Sequence, residues 1–104
     1  MVKTVFEIQE GNYIGFAVSG HAGYAEHGMD VCCAAVSSAV QTVTNAITEI
    51  FVAKADVVVE ENRVAVKLTE KNNDASRLMA ALHLQMELLK EEFEKNITIV
   101  ISEV

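Results

Sequence analysis

The feature that most constrains the fold is an apolar segment of 23 residues, 31–53, with a single charged residue, Glu49. Seven polar residues interrupt it, so it lacks the mostly apolar character of a membrane-spanning helix. Its larger apolar residues recur at spacings of three and four, which is the pattern of one helical face. They are Val36, Val40, Val43, Ile47, Ile50 and Phe51. The segment therefore predicts a buried helix of a soluble protein, with Asp30 as its N-cap.

The rest of the chain predicts strands around this helix and one further helix. Alternating or β-branched runs mark strands at 2–8, 13–19, 57–60, 63–68 and 97–101. A second helix is expected over 74–94, capped by Asn73 or Asp74. Its core face is predicted at Leu78, Ala81, Leu82, Met86, Leu89 and Phe93. The order ββαββαβ indicates a two-layer α+β fold, in which two helices cover one face of a five-stranded, mostly antiparallel sheet.

Length and charge narrow the class of protein. A chain of 104 residues is expected to form one domain, 1–104, with no separate cofactor domain. Eight Lys and Arg against fifteen Asp and Glu give a formal charge of −7, which disfavours nonspecific nucleic-acid binding and suits a cationic partner. The first residues contain no apolar run of signal-peptide length, and two adjacent cysteines make a poor disulfide framework. We therefore expect a cytoplasmic protein with no cofactor and no membrane segment.

The glycine-rich segment 20–29 and the two cysteines after it are the candidate site of chemistry. The segment contains three glycines, His21 and His27. If Asp30 caps the helix, Cys33 lies in its first turn, where the helix dipole favours a thiolate. His21 can fold back onto that thiol as a general base, and Cys beside His is the minimal pair for acyl transfer. Free N–H groups around Cys33 and Ala34 are expected to hold an oxyanion.

Other interpretations of these residues remain open at this point. Cys33 can also be a buried small residue on an apolar helix, and a solvated loop position is the alternative for His27. Four potential zinc ligands, His21, His27, Cys32 and Cys33, lie within 13 residues. Adjacent cysteines on one helix cannot both point at a tetrahedral metal without distortion, so a metal site is disfavoured. His83 is interpreted as a surface residue of the second helix.

The motifs of this segment resemble a known family. Gly20-His21-Ala22, followed by Asp30-Val31-Cys32-Cys33-Ala34 with Ser37 one turn later, is similar to the signature of the bacterial ribosomal-processing cysteine protease Prp family. The resemblance implies His21 and Cys33 as the catalytic pair. It implies Asp30 and Ser37 as supporting residues, with which Gly20 is grouped. Gly23, His27 and Gly28 are expected in a loop at the substrate, because a long glycine-containing segment beside the nucleophile is the usual form of a gate.

The same resemblance implies a function and partners. Members of that family remove a short N-terminal extension from a large-subunit ribosomal protein, and they form homodimers. The sequence departs from the family at Cys32, where an aliphatic residue is usual. The Asp-x-x-Cys-Ala register selects Cys33 as the nucleophile, and Cys32 is expected to pack as a small hydrophobe. A non-catalytic module that binds the ribosome is the remaining alternative.

Overall fold

The computed structural model describes residues 1–20 and 29–104, with residues 29 and 30 described by their backbone only. Two strands, β1 (Val2–Gln9) and β2 (Asn12–Ser19), precede the helix α1 (Met29–Asn45), which continues into a π-helical turn, Ala46–Ile50. The strands β3 (Ala55–Glu60) and β4 (Arg63–Leu68) follow, then α2 (Asn73–Glu92) and β5 (Ile97–Glu103). The predicted order ββαββαβ is confirmed.

The five strands form one sheet in the order β3-β4-β2-β1-β5. Every neighbouring pair is antiparallel except β1 and β5, which run parallel. The β1–β2 hairpin turns at Glu10 and Gly11, whose φ values of 50° and 80° are the left-handed values that a tight two-residue turn requires. The mostly antiparallel sheet predicted from the sequence is therefore confirmed.

One face of the sheet carries the core. Alternate residues of four strands are buried there against the helices: Val2, Thr4, Phe6, Phe16, Val18, Val64, Val66 and Ile97. The helix α2 packs over β2 and β5 and against α1. Because Val64 and Val66 of β4 are also buried, α1 must cover that side of the face. Its buried residues, Cys32, Val36, Val40 and Ile47, belong to the same core.

The C-terminal end of the first helix differs from the prediction. Ile50 and Phe51 are 73% and 45% exposed, so their assignment to the buried face was wrong. The physical reason is the π-helical turn, in which the Phe51 N–H donates to the Ala46 carbonyl at 2.9 Å, five residues back instead of four. The wider turn rotates the residues that follow out of the apolar face.

The second helix also begins and packs differently in detail. Its N-cap is Asn72, whose side chain accepts the Ala75 N–H at 2.9 Å, so the caps predicted at Asn73 or Asp74 were wrong by one or two residues. Ala81 is exposed, and Met79 is buried in its place. The second shift arises because the buried face steps through residues 75, 79, 82, 86 and 89, which includes Met79 and leaves Ala81 outside.

Among the described residues, one helical segment, Val31–Ile50, is long and apolar enough to cross a membrane by length and composition alone. The core helix of a soluble protein passes the same test. Here Val36, Val40 and Ile47 pack into the core that the sheet and α2 share. One face of the segment is therefore part of the core, whereas Val31 and Ile50 are 64% and 73% exposed, so the prediction of a buried helix holds for that face alone.

Candidate active site

The predicted site residues divide between described and undescribed parts of the chain. His21, Gly23, His27 and Gly28 lie outside the described residues, so their predicted roles stay predictions. Gly20, Cys33 and Ser37 are described. These residues lie at the end of β2 and in the first half of α1. The two elements flank the segment that contains His21.

Gly20 follows the last residue of β2, and its backbone conformation is fixed by contacts with Asn62 and Met1. Its N–H donates to the carbonyl of Asn62, in the β3–β4 turn, at 2.9 Å. Its φ of 80° is left-handed, and a Cβ at this position would overlap the carbonyl oxygen of Met1. No other residue type fits both conditions without displacing the backbone. Gly20 thus fixes the direction in which the chain leaves the sheet toward His21.

The start of α1 corrects two expectations. The helix begins at Met29, so Asp30 lies inside its first turn and is not the N-cap. Cys33 is therefore the fifth helical residue, beyond the N–H groups that lack intrahelical partners. The expectation that the N–H groups of Cys33 and Ala34 are free for an oxyanion was wrong.

The two adjacent cysteines have different surroundings. Cys32 is fully buried in the core, as its predicted packing role requires, and burial is the main reason that the pKa of its thiol is raised above the ordinary value. The negative charge of a neighbouring Cys33 thiolate raises it further. Cys33 is half-buried and packs only against the margin of the core. A thiolate therefore forms at Cys32 only with difficulty, whereas Cys33 can be reached from outside.

Ser37 lies four residues after Cys33, on the same side of α1. It is half-buried and takes part in an interaction within the fold. Its side chain lies one helical turn after the thiol of Cys33. This placement is compatible with the supporting role that the resemblance implies for it.

The described ranges 1–20 and 29–104 contain no group of three His, Cys, Asp or Glu side chains that could hold a metal ion. Of the four ligands considered from the sequence, only Cys32 and Cys33 lie in those ranges. Cys32 faces the core, and adjacent helical residues point about 100° apart. The thiols of Cys32 and Cys33 therefore do not point toward a common metal position.

The third histidine, His83, is not the surface residue that the sequence predicted. Its Nδ1 lies 2.7 Å from the Tyr13 hydroxyl, and its Nε2 lies 3.4 Å from a carboxylate oxygen of Glu87. Its ring packs on Phe6 with centroids 4.7 Å apart. Nothing in the local sequence indicates these contacts, because two of the partners come from the first hairpin. This cluster joins α2 to the sheet.

Comparison with known proteins identifies the family. The model of the family described as cysteine protease Prp matches residues 1–98. The chain belongs to this family. Two curated relatives, from Staphylococcus aureus strains Mu50 and NCTC 8325, are each named ribosomal processing cysteine protease Prp. Each is 26% identical over 91 residues, which cover 85% of this chain and 86% of the relative. The Prp family is one of cysteine proteases, so the chain is assigned to that class of enzyme.

Solved structures share the fold over the whole chain. The protein SMU.848 from Streptococcus mutans has a TM-score of 0.90 at 24% identity, with 100% of this chain and 96% of that chain covered. Prp from S. aureus in complex with a substrate peptide has a TM-score of 0.89 at 21% identity, with 98% and 100% covered. The same protease with a covalently linked product peptide gives 0.86 at 22% identity, again over 98% and 100%. These likenesses confirm the fold, including the order and pairing of the strands.

Proposed function

We propose that this Prp-family protein is an endopeptidase that removes a short N-terminal extension from a large-subunit ribosomal protein. Cys33 is the nucleophile and His21 the general base. The observation that carries the assignment to Cys33 is the contrast between the two thiols: Cys32 is fully buried, and Cys33 is only partly buried. The S. aureus relatives named as ribosomal processing proteases support the choice of substrate.

The proposed chemistry is acyl transfer through a thioester. The Cys33 sulfur attacks the scissile carbonyl carbon while its proton passes to His21. The tetrahedral intermediate collapses, the C–N bond breaks, and the imidazolium gives its proton to the leaving amine. Water, deprotonated by the same imidazole, then hydrolyses the thioester and restores the thiol. Side chains of this protein supply both the nucleophile and the base, so the proposed reaction requires no cofactor.

The supporting roles follow from position. Gly20 directs the chain from β2 toward His21, because its N–H and its φ are both fixed by neighbouring backbone. Asp30 in the first turn strengthens the start of the helix that carries Cys33. Ser37, one turn after Cys33, supports the nucleophile's side of α1. The loop that contains Gly23, His27 and Gly28 is proposed to contact the substrate and to close over it.

The test is cleavage of the ribosomal protein precursor, followed by intact mass. We expect Cys33→Ala to abolish cleavage with the fold retained. The matched control is Cys32→Ala, which removes the neighbouring thiol and leaves most of the activity. Loss of cleavage in Cys32→Ala with normal activity in Cys33→Ala would overturn the assignment. His21→Ala is expected to abolish cleavage as Cys33→Ala does.

The proposed function also includes a basic substrate, an oligomeric state and a cellular location. The net charge of −7 complements a basic ribosomal substrate. We propose a homodimer, as the family resemblance implies, and a cytoplasmic location, with no direct contact to nucleic acid or membrane. Sedimentation velocity of the purified protein tests the dimer. A binding module without catalysis predicts that wild-type protein captures the precursor and leaves its mass unchanged.

A further inference from the structure

The edge strand β3 is exposed on both faces although it contains three consecutive valines. All of its residues from Asp56 to Glu60 are exposed, and within residues 1–20 and 29–104 its outer edge pairs with no other strand. Natural proteins usually protect such an edge with a lysine, a proline or a bulge. The strand has neither residue, and its pairing with β4 is regular. Its charged residues, Asp56 and Glu60, flank the three valines, so the middle of the strand is the part of the edge that is suited to receiving another strand.

The exposed valines include two on the face of the sheet that the helices cover. Val57 and Val59 pair with Val66 and Val64, which are buried on that face. They are 38% and 72% exposed because α1 does not reach the edge strand. Val57 and Val59 therefore form an apolar shelf on the helix side of the sheet, the side on which α1 carries Cys33. This pair is called the β3 shelf below.

The C-terminal end of β3 leads directly to the candidate active site. The turn after it contains Asn62, whose carbonyl accepts the N–H of Gly20 at 2.9 Å. Gly20 is the residue before His21. A strand added along β3 would therefore reach the same end of the sheet as Gly20, with β3 and β4 between them.

We propose that β3 pairs with the peptide substrate, which binds as a sixth strand and places alternate apolar side chains on the β3 shelf. This inference rests on the proposed function. Backbone hydrogen bonds to an edge strand supply affinity, and side chains at every second position supply specificity. Asp56 and Glu60 point to the opposite face and favour basic residues in the same peptide. The occupant is therefore an extended, basic peptide with apolar residues at alternate positions.

Charge favours a peptide over a second copy of the chain. If two β3 strands paired antiparallel about Val58, Asp56 of one copy would lie opposite Glu60 of the other, twice in the interface. Like charges directly opposite each other on neighbouring strands are destabilising. A basic peptide turns Asp56 into a favourable partner, and it can share the Glu60 carboxylate with Arg63, which lies 3.6 Å from it at the exposed surface. The edge thus selects against its own copy and for a cationic strand.

The test compares shelf variants with a matched valine on the other edge. Val57→Thr and Val59→Thr keep a β-branched side chain but remove apolar contact, and Val100→Thr on β5 is the control, with 39% exposure against 38% for Val57. A synthetic peptide that spans the cleavage site of the ribosomal protein precursor is the probe. We expect KM to rise about three- to tenfold in the double shelf variant, with kcat nearly unchanged. Val100→Thr should match wild type.

A binding measurement separates this inference from the proposed function. The same labelled peptide is titrated by fluorescence anisotropy into Cys33→Ala protein with and without the shelf substitutions. Weaker binding in the shelf variants supports the inference even if the wild type fails to cleave, a result that would overturn only the function. Equal affinity overturns the inference. Dissociation of a dimer by the shelf substitutions, seen by sedimentation velocity, would also overturn it and assign the edge to a second copy.

Discussion

The two ends of the sheet differ in whether partly buried side chains link the elements. At the end that carries Tyr13 they do: the Tyr13 N–H donates to the Ser76 Oγ at 2.9 Å, and its hydroxyl bonds His83, beside a backbone bond from the Val104 N–H to the Ile8 carbonyl. At the end that carries Gly20, the links are backbone bonds, Gly20 N–H to Asn62 and Val2 N–H to the Asn96 carbonyl at 2.7 Å, and the side-chain contacts of Thr98 with Met1 and of Arg63 with Glu60 lie at exposed residues. We call them the Tyr13 end and the Gly20 end.

Because of this difference, we expect substitutions at one end to change stability alone and substitutions at the other end to change stability and cleavage together. Side-chain bonds at the Tyr13 end can be removed one at a time by substitution, and the residues that form them lie away from Cys33. Backbone bonds at the Gly20 end are insensitive to most substitutions, so the surroundings of the proposed catalytic pair depend mainly on backbone path. We therefore expect variants of the Tyr13 end to change unfolding and leave cleavage intact. Variants that alter the backbone of the Gly20 end should change both.

The largest expected effect is that of Gly20→Ala. Its φ of 80° disfavours any side chain, and the new Cβ would overlap the Met1 carbonyl. We expect a loss of more than about 2 kcal/mol in the free energy of unfolding, together with a large fall in cleavage, because the chain can no longer leave β2 along the same path. Urea denaturation and the precursor cleavage assay measure the two effects.

The chain offers a matched control for that substitution in the hairpin turn. Gly11 has the same φ of 80°, but a Cβ there would meet nothing within 4 Å. Gly11→Ala should therefore cost only the conformational penalty, about 1 kcal/mol, with cleavage unchanged. If both alanine variants lost the same stability and the same activity, close packing against Met1 would have no special role at the Gly20 end.

A smaller effect is expected at the Tyr13 end from Asn72→Ala. This removes the side chain that accepts the Ala75 N–H and caps α2. A lost cap costs about 1 kcal/mol of unfolding free energy. Asn73→Ala, at the exposed first residue of the same helix, is the control and should change stability by less than half as much. Cleavage should be unchanged in both, and a fall in kcat with Asn72→Ala would contradict the separation of the two ends.

The sequence predicted the elements of this fold better than their ends. Periodicity over α1 and α2 indicated both helices, because a core face repeats over many residues and one misassigned position does not hide it. The caps and the exposure of Ile50 and Phe51 depended on single hydrogen bonds, including the π-helical bond to Ala46, that no local pattern encodes. Boundaries shift by one or two residues for that reason.

The candidate site was predictable to the extent that motif and register define it. The register singled out Cys33 from Cys32, and the burial of Cys32 agrees with that choice. The contacts of His83 were not predictable, because Tyr13 lies 70 residues away in the chain. The same holds for Gly20, whose need for glycine comes from the Met1 backbone, which joins it only after β1 and β2 have paired.

The stability of Cys32→Ala, compared with wild type over a range of pH, tests whether the buried Cys32 thiol resists ionisation in the folded state. Because burial raises the pKa of Cys32 above its ordinary 9.0, the folded state resists ionisation that the unfolded chain permits. Its contribution to stability is complete below about pH 9 and is lost as the pH rises toward the folded-state pKa. The alanine variant should be less stable than wild type at pH 7, and the difference in urea midpoints should narrow by pH 10. A difference that stays constant between these pH values would show that Cys32 ionises equally well in both states.

The smallest expected effect is that of Thr4→Val. This substitution tests whether a buried hydroxyl at the Gly20 end is needed for stability. Thr4 on β1 is fully buried, and its Oγ1 has no hydrogen-bond partner in the described part of the chain. A buried hydroxyl without a partner is destabilising, and valine has nearly the same shape without it, so Thr4→Val should raise the unfolding free energy by about 1 kcal/mol or less. Thr98→Val, at an exposed position on β5, is the control and should change little. Cleavage should be unchanged, since Thr4 lies in the sheet between Val18 and Ile99 and has no proposed role in the reaction. If stability rose while cleavage fell, the hydroxyl would serve the reaction, and the backbone account of the Gly20 end would have to include a side chain.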